Sequence, residues 1–166
     1  MRRVAIAVAL AFLVAPAAAG AATVHLGWHE VARTQNERGK PLVAFHVIAL
    51  ATSKNAWAIA AEITNRSRTT FRLRPAFALA EYSTKRYDKP DSVLPALFVR
   101  PPLPATLRPG QTWRGEFGGP GKPKVGRFVR VVFGTFLSRL PKPMGPTFSW
   151  ITDHAYKAQR PSPLAI

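Results

Sequence analysis

Apolar and polar residues alternate with a period of two along most of the chain. From Ala56 to Thr64, Trp57, Ile59, Ala61 and Ile63 fall on one side, and Ala58, Ala60, Glu62 and Thr64 on the other. That is the pattern of a half-buried strand. Val43, Phe45, Val47 and Ile48 to Leu50 predict a strand just before it, joined to it by a tight turn at Ser53-Lys54-Asn55. Val24 to Val31 reads as a first strand, with a polar loop from Arg33 to Pro41. After the turn cluster Asn65-Arg66-Ser67-Arg68, Thr69 to Leu73 carries Phe71 and Leu73 on its inner side. Pro75 then interrupts, and Phe77 to Tyr82 resumes the alternation.

Residues 83 to 93 are polar and predict a loop, followed by a short strand at Leu94 to Val99 and an extended Pro101 to Pro104. Pro109-Gly110 predicts a type II turn before a strand at Thr112 to Phe117, and Gly118 to Pro123 a long turn. Gly126 to Phe136 is the cleanest β segment, with Val129, Val131 and Phe133 on one face. From Pro141 the chain turns Pro-rich and irregular, except at Phe148 to Tyr156. That island reads equally as a last strand or as a short helix capped by Thr147 or Ser149. Seven or eight short strands with turn signals between them predict an all-β, antiparallel sandwich at residues 23–140, with a Pro-rich tail at 141–166.

The first 22 residues break this pattern. Arg2 and Arg3 precede an uncharged apolar run, Val4 to Ala15, and then Pro16 and a stretch of Ala and Gly, in which Ala17 and Ala19 suit cleavage before Gly20, and Gly20 and Ala22 cleavage before Thr23. Basic start, apolar stretch and small residues make an export signal at 1–22. The strongly apolar part, 12 residues, is short of the roughly 20 that a spanning helix needs. The chain is therefore expected to be exported, to the cell envelope or beyond, with no transmembrane segment in its mature part.

Three stretches carry a resemblance. Ile63-Thr64-Asn65-Arg66-Ser67 leads to Leu107-Arg108-Pro109-Gly110-Gln111 and then to Phe128-Val129-Arg130-Val131-Val132-Phe133. In this order they resemble the immunoglobulin-like, telokin-like domains of secreted bacterial proteins of unknown function, over Phe45 to Phe133. The resemblance implies an immunoglobulin-like fold and no enzymatic activity. It departs from antibody-type domains, whose core holds a cysteine pair, because this chain has no cysteine. Asn65-Arg66-Ser67 also fits a glycosylation sequon, but the triplet has a turn role already.

Charge adds the first functional lead. The 166 residues hold 24 Lys and Arg against 8 Asp and Glu, a net charge of +16. Loss of 1–22 takes away Arg2 and Arg3, leaving 22 basic against 8 acidic residues, or +14. The excess points to an anionic partner or surface. Arg66, Arg68, Arg72 and Arg74 share one parity, so Arg72 and Arg74 project outward together if Phe71 and Leu73 point inward. Lys85, Arg86 and Lys89 form a second cluster, and Lys122, Lys124, Arg127 and Arg130 a third. Two such clusters on one sheet face make an anion-binding stripe for an envelope polyanion, an acidic lipid surface or an acidic protein surface. Nucleic acid is disfavoured, since no exposed aromatics interleave with the basic residues and Phe71 and Phe128 read as core. The competing reading is a generally basic solvated surface.

Catalytic and metal chemistry find little support in the sequence. His25 and His29, with Trp28 and Glu30 between and beside them, invite a metal site. Four residues along a strand span about 13 Å, too far to share an ion, and His46 or His154 would have to join one of them in space. No Gly-x-Ser-x-Gly elbow or Ser-x-x-Lys pattern occurs, and the serines lie in or beside turns. Glu62 and Glu116 are the one carboxylate pair whose spacing bears on glycoside chemistry. Trp57 and Trp113 read as core anchors, with Trp28 and Trp150 towards the ends of the domain. No cofactor is implied. The sequence thus predicts a non-catalytic binding or assembly module, against two alternatives: a histidine-based metal or hydrolytic protein, and a purely structural accessory domain whose partner docks on a sheet edge or the Pro-rich segment.

Overall fold

Trp57, Ile59, Ala61 and Ile63 are each at most 2% exposed, while the residues alternating with them stay half-buried. The period-two pattern is thus realised as a strand with one face in the core. The computed structural model describes residues 22–33, 41–85, 89–138 and 148–160, and every regular element among them is a β-strand. In chain order these are β1 (Ala22–Arg33), β2 (Pro41–Thr52), β3 (Ala56–Asn65), β4 (Phe71–Tyr82), β5 (Ser92–Pro95) and β6 (Phe98–Arg100), followed by β7 (Thr106–Leu107), β8 (Thr112–Pro120), β9 (Phe128–Ser138), β10 (Phe148–Ile151) and β11 (Tyr156–Lys157). The proposed export signal lies outside the described residues apart from Ala22, which opens β1. Residues 34–40 of the polar loop, 139–147, and 161–166 also lie outside them.

All strand pairs are antiparallel. One sheet has the order β1-β2-β3-β8-β6. The other has the order β10-β9-β4-β5, with β11 also on β9 and β7 also on β4. Aromatic side chains from the two sheets share one core. Phe45 of β2 meets Phe133 and Phe136 of β9, with ring centroids at 4.6 and 5.4 Å. Phe77 of β4 stacks on Phe117 of β8 at 4.3 Å and lies 5.9 Å from Trp113. Each such pair adds about 1 kcal/mol beyond the area it buries. Trp57 and Trp113 are core residues at 2% and 4% exposure, and Trp28 and Trp150 pack against that core while half-buried.

Three expectations are corrected, and the stretch open to strand or helix takes its strand reading. Pro75 does not end a strand: β4 runs through it, and the missing N–H is absorbed in an irregularity between Pro75 and Ala78 opposite β9. Gly134 faces Pro75 there with φ of 110°, and a Cβ would stand 2.4 Å from the Ala76 nitrogen. The expected strand at Leu94 to Val99 is two strands in different sheets, since β5 pairs β4 and β6 pairs β8. Gly118 to Pro120 continue β8 rather than forming a turn, with Gly118 close against the Trp57 carbonyl. The island at Phe148 to Tyr156 is β10, a bend and the start of β11, both strands paired to β9. The stretch assigned to a tail therefore belongs in part to the sheets, and Ala158 lies in the core at 7% exposure.

Candidate anion-binding surfaces

The two turn motifs named by the sequence meet in space. Asn65 ends β3 fully buried. Its Nδ2 donates to the Thr69 carbonyl at 2.7 Å and to the Leu107 carbonyl at 2.9 Å, while Oδ1 accepts from the Ser67 N–H at 2.9 Å. The Ser67 hydroxyl lies 2.8 Å from Asn65 Oδ1 and accepts from the Thr69 N–H at 3.0 Å. Backbone bonds from Asn65 to Gln111 and from Gly110 to Asn65 dock the second turn against the first. That second turn closes through Gln111 N–H to the Arg108 carbonyl at 3.0 Å, with Gly110 at φ of 74° as a type II turn requires. With both its Nδ2 protons bonded and its side chain buried, Asn65 is a structural residue rather than a modification acceptor.

This buried polar knot presents cations. Arg66 and Arg68 project to solvent while Asn65 and Ser67 point in. On β4, Arg72 and Arg74 are exposed while the alternating Phe71 and Leu73 are buried, so the two guanidinium stems leave the same face about 7 Å apart. Arg108, on the adjoining turn, is exposed too. It joins the group through the Asn65 contacts, a long-range link that the sequence pattern does not reveal. Among the described residues, Arg66, Arg68, Arg72 and Arg74 form no ion pair with a carboxylate.

The other four expected anion-binding residues behave differently. Arg130 is 4% exposed. Its guanidinium donates to the Asp153 carbonyl at 2.8 Å and lies 5.6 Å from the Tyr82 ring centroid, so it braces β9 and offers no surface charge. Arg127 is half-buried and paired with Asp91 at 2.8 Å. Lys122 and Lys124 are exposed, but at the other end of the strands from the arginine turn: Gly121 N–H bonds the Asn55 carbonyl, and Lys124 N–H bonds Glu81 near the end of β4. Lys54, beside Lys122, precedes β3 and Arg66 follows it, which separates the two ends by about 30 Å. The basic clusters therefore make two separate ends rather than one stripe. Lys85 belongs to the second end, where it and Lys157 place their ammonium groups 5.8 and 5.9 Å from the Phe128 ring. Phe128 is only half-buried under them, not core as the sequence suggests, whereas Phe71 is core. Lys89 is exposed, and Arg86 lies outside the described residues.

At the second end a cavity of about 410 Å³ opens between the strands. Lys54, Lys122 and Arg160 line it, with Leu50, Pro123 and Ala158 among its apolar walls. Among the described residues no acidic side chain lines it.

The histidines form a ladder across an outer face. His29 of β1 opposes His46 of β2, which opposes Glu62 of β3, which opposes Arg114 of β8. The two imidazoles stack at 3.9 Å with planes 16° apart. His46 Nδ1 is 3.6 Å from Glu62, and Arg114 is bonded to the same carboxylate. Ring nitrogens donate to metals in the ring plane, so stacked parallel rings cannot both ligate one ion. His25 opposes Ala49, away from His46 along β2. His154 lies 3.8 Å from the buried Glu30, on the inner side of β1. Among the described residues no three His, Cys, Asp or Glu converge as metal ligands. Glu62 and Glu116 lie diagonally across β3 and β8 on this outer face, with Glu62 held by Arg114.

No helix among the described residues is long and apolar enough to cross a membrane. No protein-family model, curated protein or solved structure matches the chain.

Proposed function

We propose that this chain is a non-catalytic, exported binding or assembly module of the cell envelope, folded as an immunoglobulin-like, telokin-like sandwich. Its arginine end meets an anionic partner, an envelope polyanion or an acidic protein surface. The observation that carries the reading is the set of Arg66, Arg68, Arg72 and Arg74, exposed and, among the described residues, without carboxylate partners, around a turn fixed by buried Asn65. Guanidinium forks carried on a fixed turn and the strand after it need no backbone ordering on binding, and pair two-pronged with carboxylate, sulfate or phosphate groups. Export rests on the Arg2-Arg3, Val4–Ala15 and Ala17/Ala19 pattern at the N-terminus.

Retention on an immobilised sulfated polysaccharide tests this. It should weaken steeply with salt, and Arg72→Ala with Arg74→Ala should lower the salt slope by roughly two, one counter-ion for each lost contact. Retention and slope unchanged in the double variant would sink the reading.

A further inference from the structure

We propose that the cavity at the opposite end from the arginine turn binds a small organic anion: one carboxylate or phosphate head carried on an apolar body. Three cations reach it from segments far apart in sequence. Lys54 comes from the β2–β3 turn, Lys122 from the chain after β8, and Arg160 from the chain after β11. Among the described residues none of the three has an ion-pair partner, and no carboxylate lines the cavity. Like charges gathered without a counter-charge repel one another, and an anion among them converts that repulsion into attraction.

The interior decides which kind of anion. Leu50, Pro123 and Ala158 are buried while Lys54, Lys122 and Arg160 are exposed, so the lining joins an apolar buried part to a charged solvent-facing part. A bare inorganic ion leaves the apolar part wet, whereas an amphiphile covers it and places its head among the ammonium and guanidinium groups. The volume of about 410 Å³ lies in the range of small-molecule sites. The walls are fixed by the backbone. Gly121 N–H donates to the Asn55 carbonyl at 2.9 Å, tying the Lys122 loop to the Lys54 turn, and Ala158 exchanges bonds of 2.8 and 2.7 Å with Arg127 and Gly126.

Calorimetric titration of the purified protein with octyl phosphate, octanoate, 1-octanol and inorganic phosphate tests the site. Octyl phosphate, octanoate or both should bind with one-to-one stoichiometry, and the responding head identifies the anion. Octanol and inorganic phosphate should bind at least about tenfold more weakly. Lys122→Ala and Arg160→Ala should each weaken the amphiphile about tenfold, as loss of one charge-assisted contact does, while Lys85→Ala should not. These side chains are exposed, so the fold is retained. No binding by either amphiphile, octanol binding as well as the anions, inorganic phosphate binding as well as octyl phosphate, or affinity unchanged in both cavity variants would each overturn the proposal.

Discussion

The Asn65 side-chain amide donates to the Leu107 carbonyl at 2.9 Å across 42 positions of sequence. This bond and its partner to Thr69 join the β3–β4 turn to the Pro-Gly turn and set the platform for Arg66, Arg68 and Arg108. Asn65→Ala leaves two carbonyls and the Ser67 N–H to find other partners at a buried site. It should cost about 2 to 4 kcal/mol in urea unfolding, against about 1 kcal/mol for Ser67→Ala. A loss below about 0.5 kcal/mol for Asn65→Ala contradicts a structural role for the triplet.

Gly134 and Gly27 both have positive φ, at 110° and 59°, but differ in surroundings. A Cβ on Gly134 meets the Ala76 nitrogen at 2.4 Å and the Arg74 carbonyl at 2.6 Å, whereas one on Gly27 meets nothing within 4 Å. Gly27→Ala should cost about 1 kcal/mol of backbone strain. Gly134→Ala adds a backbone clash and should cost more than about 2 kcal/mol. Equal losses would remove the account of how β4 passes Pro75.

Much of this architecture is legible in the sequence because it depends on local alternation. The inward set Trp57, Ile59, Ala61 and Ile63, the outward pair Arg72 and Arg74, and the Pro109-Gly110 turn all follow from period two and turn chemistry. What escapes is non-local. Pro75 reads as a break because its compensation, Gly134, sits far along the chain on β9. The split of Leu94 to Val99 between sheets is a choice made by tertiary packing. Parity puts Arg130 off the Val129–Val131 face, but only the Asp153 carbonyl and the Tyr82 ring, supplied by distant segments, show that it is buried there. The convergence of Lys54, Lys122 and Arg160 likewise needs the β11 segment to fold back, in a stretch whose composition suggests a tail.

Arg130 and Arg72 offer a direct contrast. Arg130→Ala removes a guanidinium that is almost fully buried, together with its bond to the Asp153 carbonyl. It should destabilise by about 2 kcal/mol. Arg72→Ala, on an exposed side chain, should stay within about 0.5 kcal/mol of the parent. Matched urea unfolding curves read both. Equal stability of the two variants would show that Arg130 is not a bracing residue.

Burial holds the Tyr82 phenol above its ordinary 10.0, and the neighbouring Arg130 only partly opposes this. Between pH 10 and the folded value, the unfolded chain has lost that proton while the folded chain keeps it. Stability from this group is therefore full below about pH 10 and falls as pH rises further. Ultraviolet titration of the tyrosines should show a late component that disappears in Tyr82→Phe. A late component that survives that substitution belongs to another tyrosine.

The central claim is that the arginine end, and not net charge, meets the anionic partner. Two variants of equal charge test it on an immobilised sulfated polysaccharide in a salt gradient. One replaces Arg66, Arg68, Arg72 and Arg74 with Ala, and the other replaces the exposed Lys85, Lys89, Lys124 and Lys157. The arginine variant should elute at much lower salt, with a salt slope reduced by up to about four, while the lysine variant stays near the parent. Equal losses in the two variants would contradict the claim and leave only a generally basic surface.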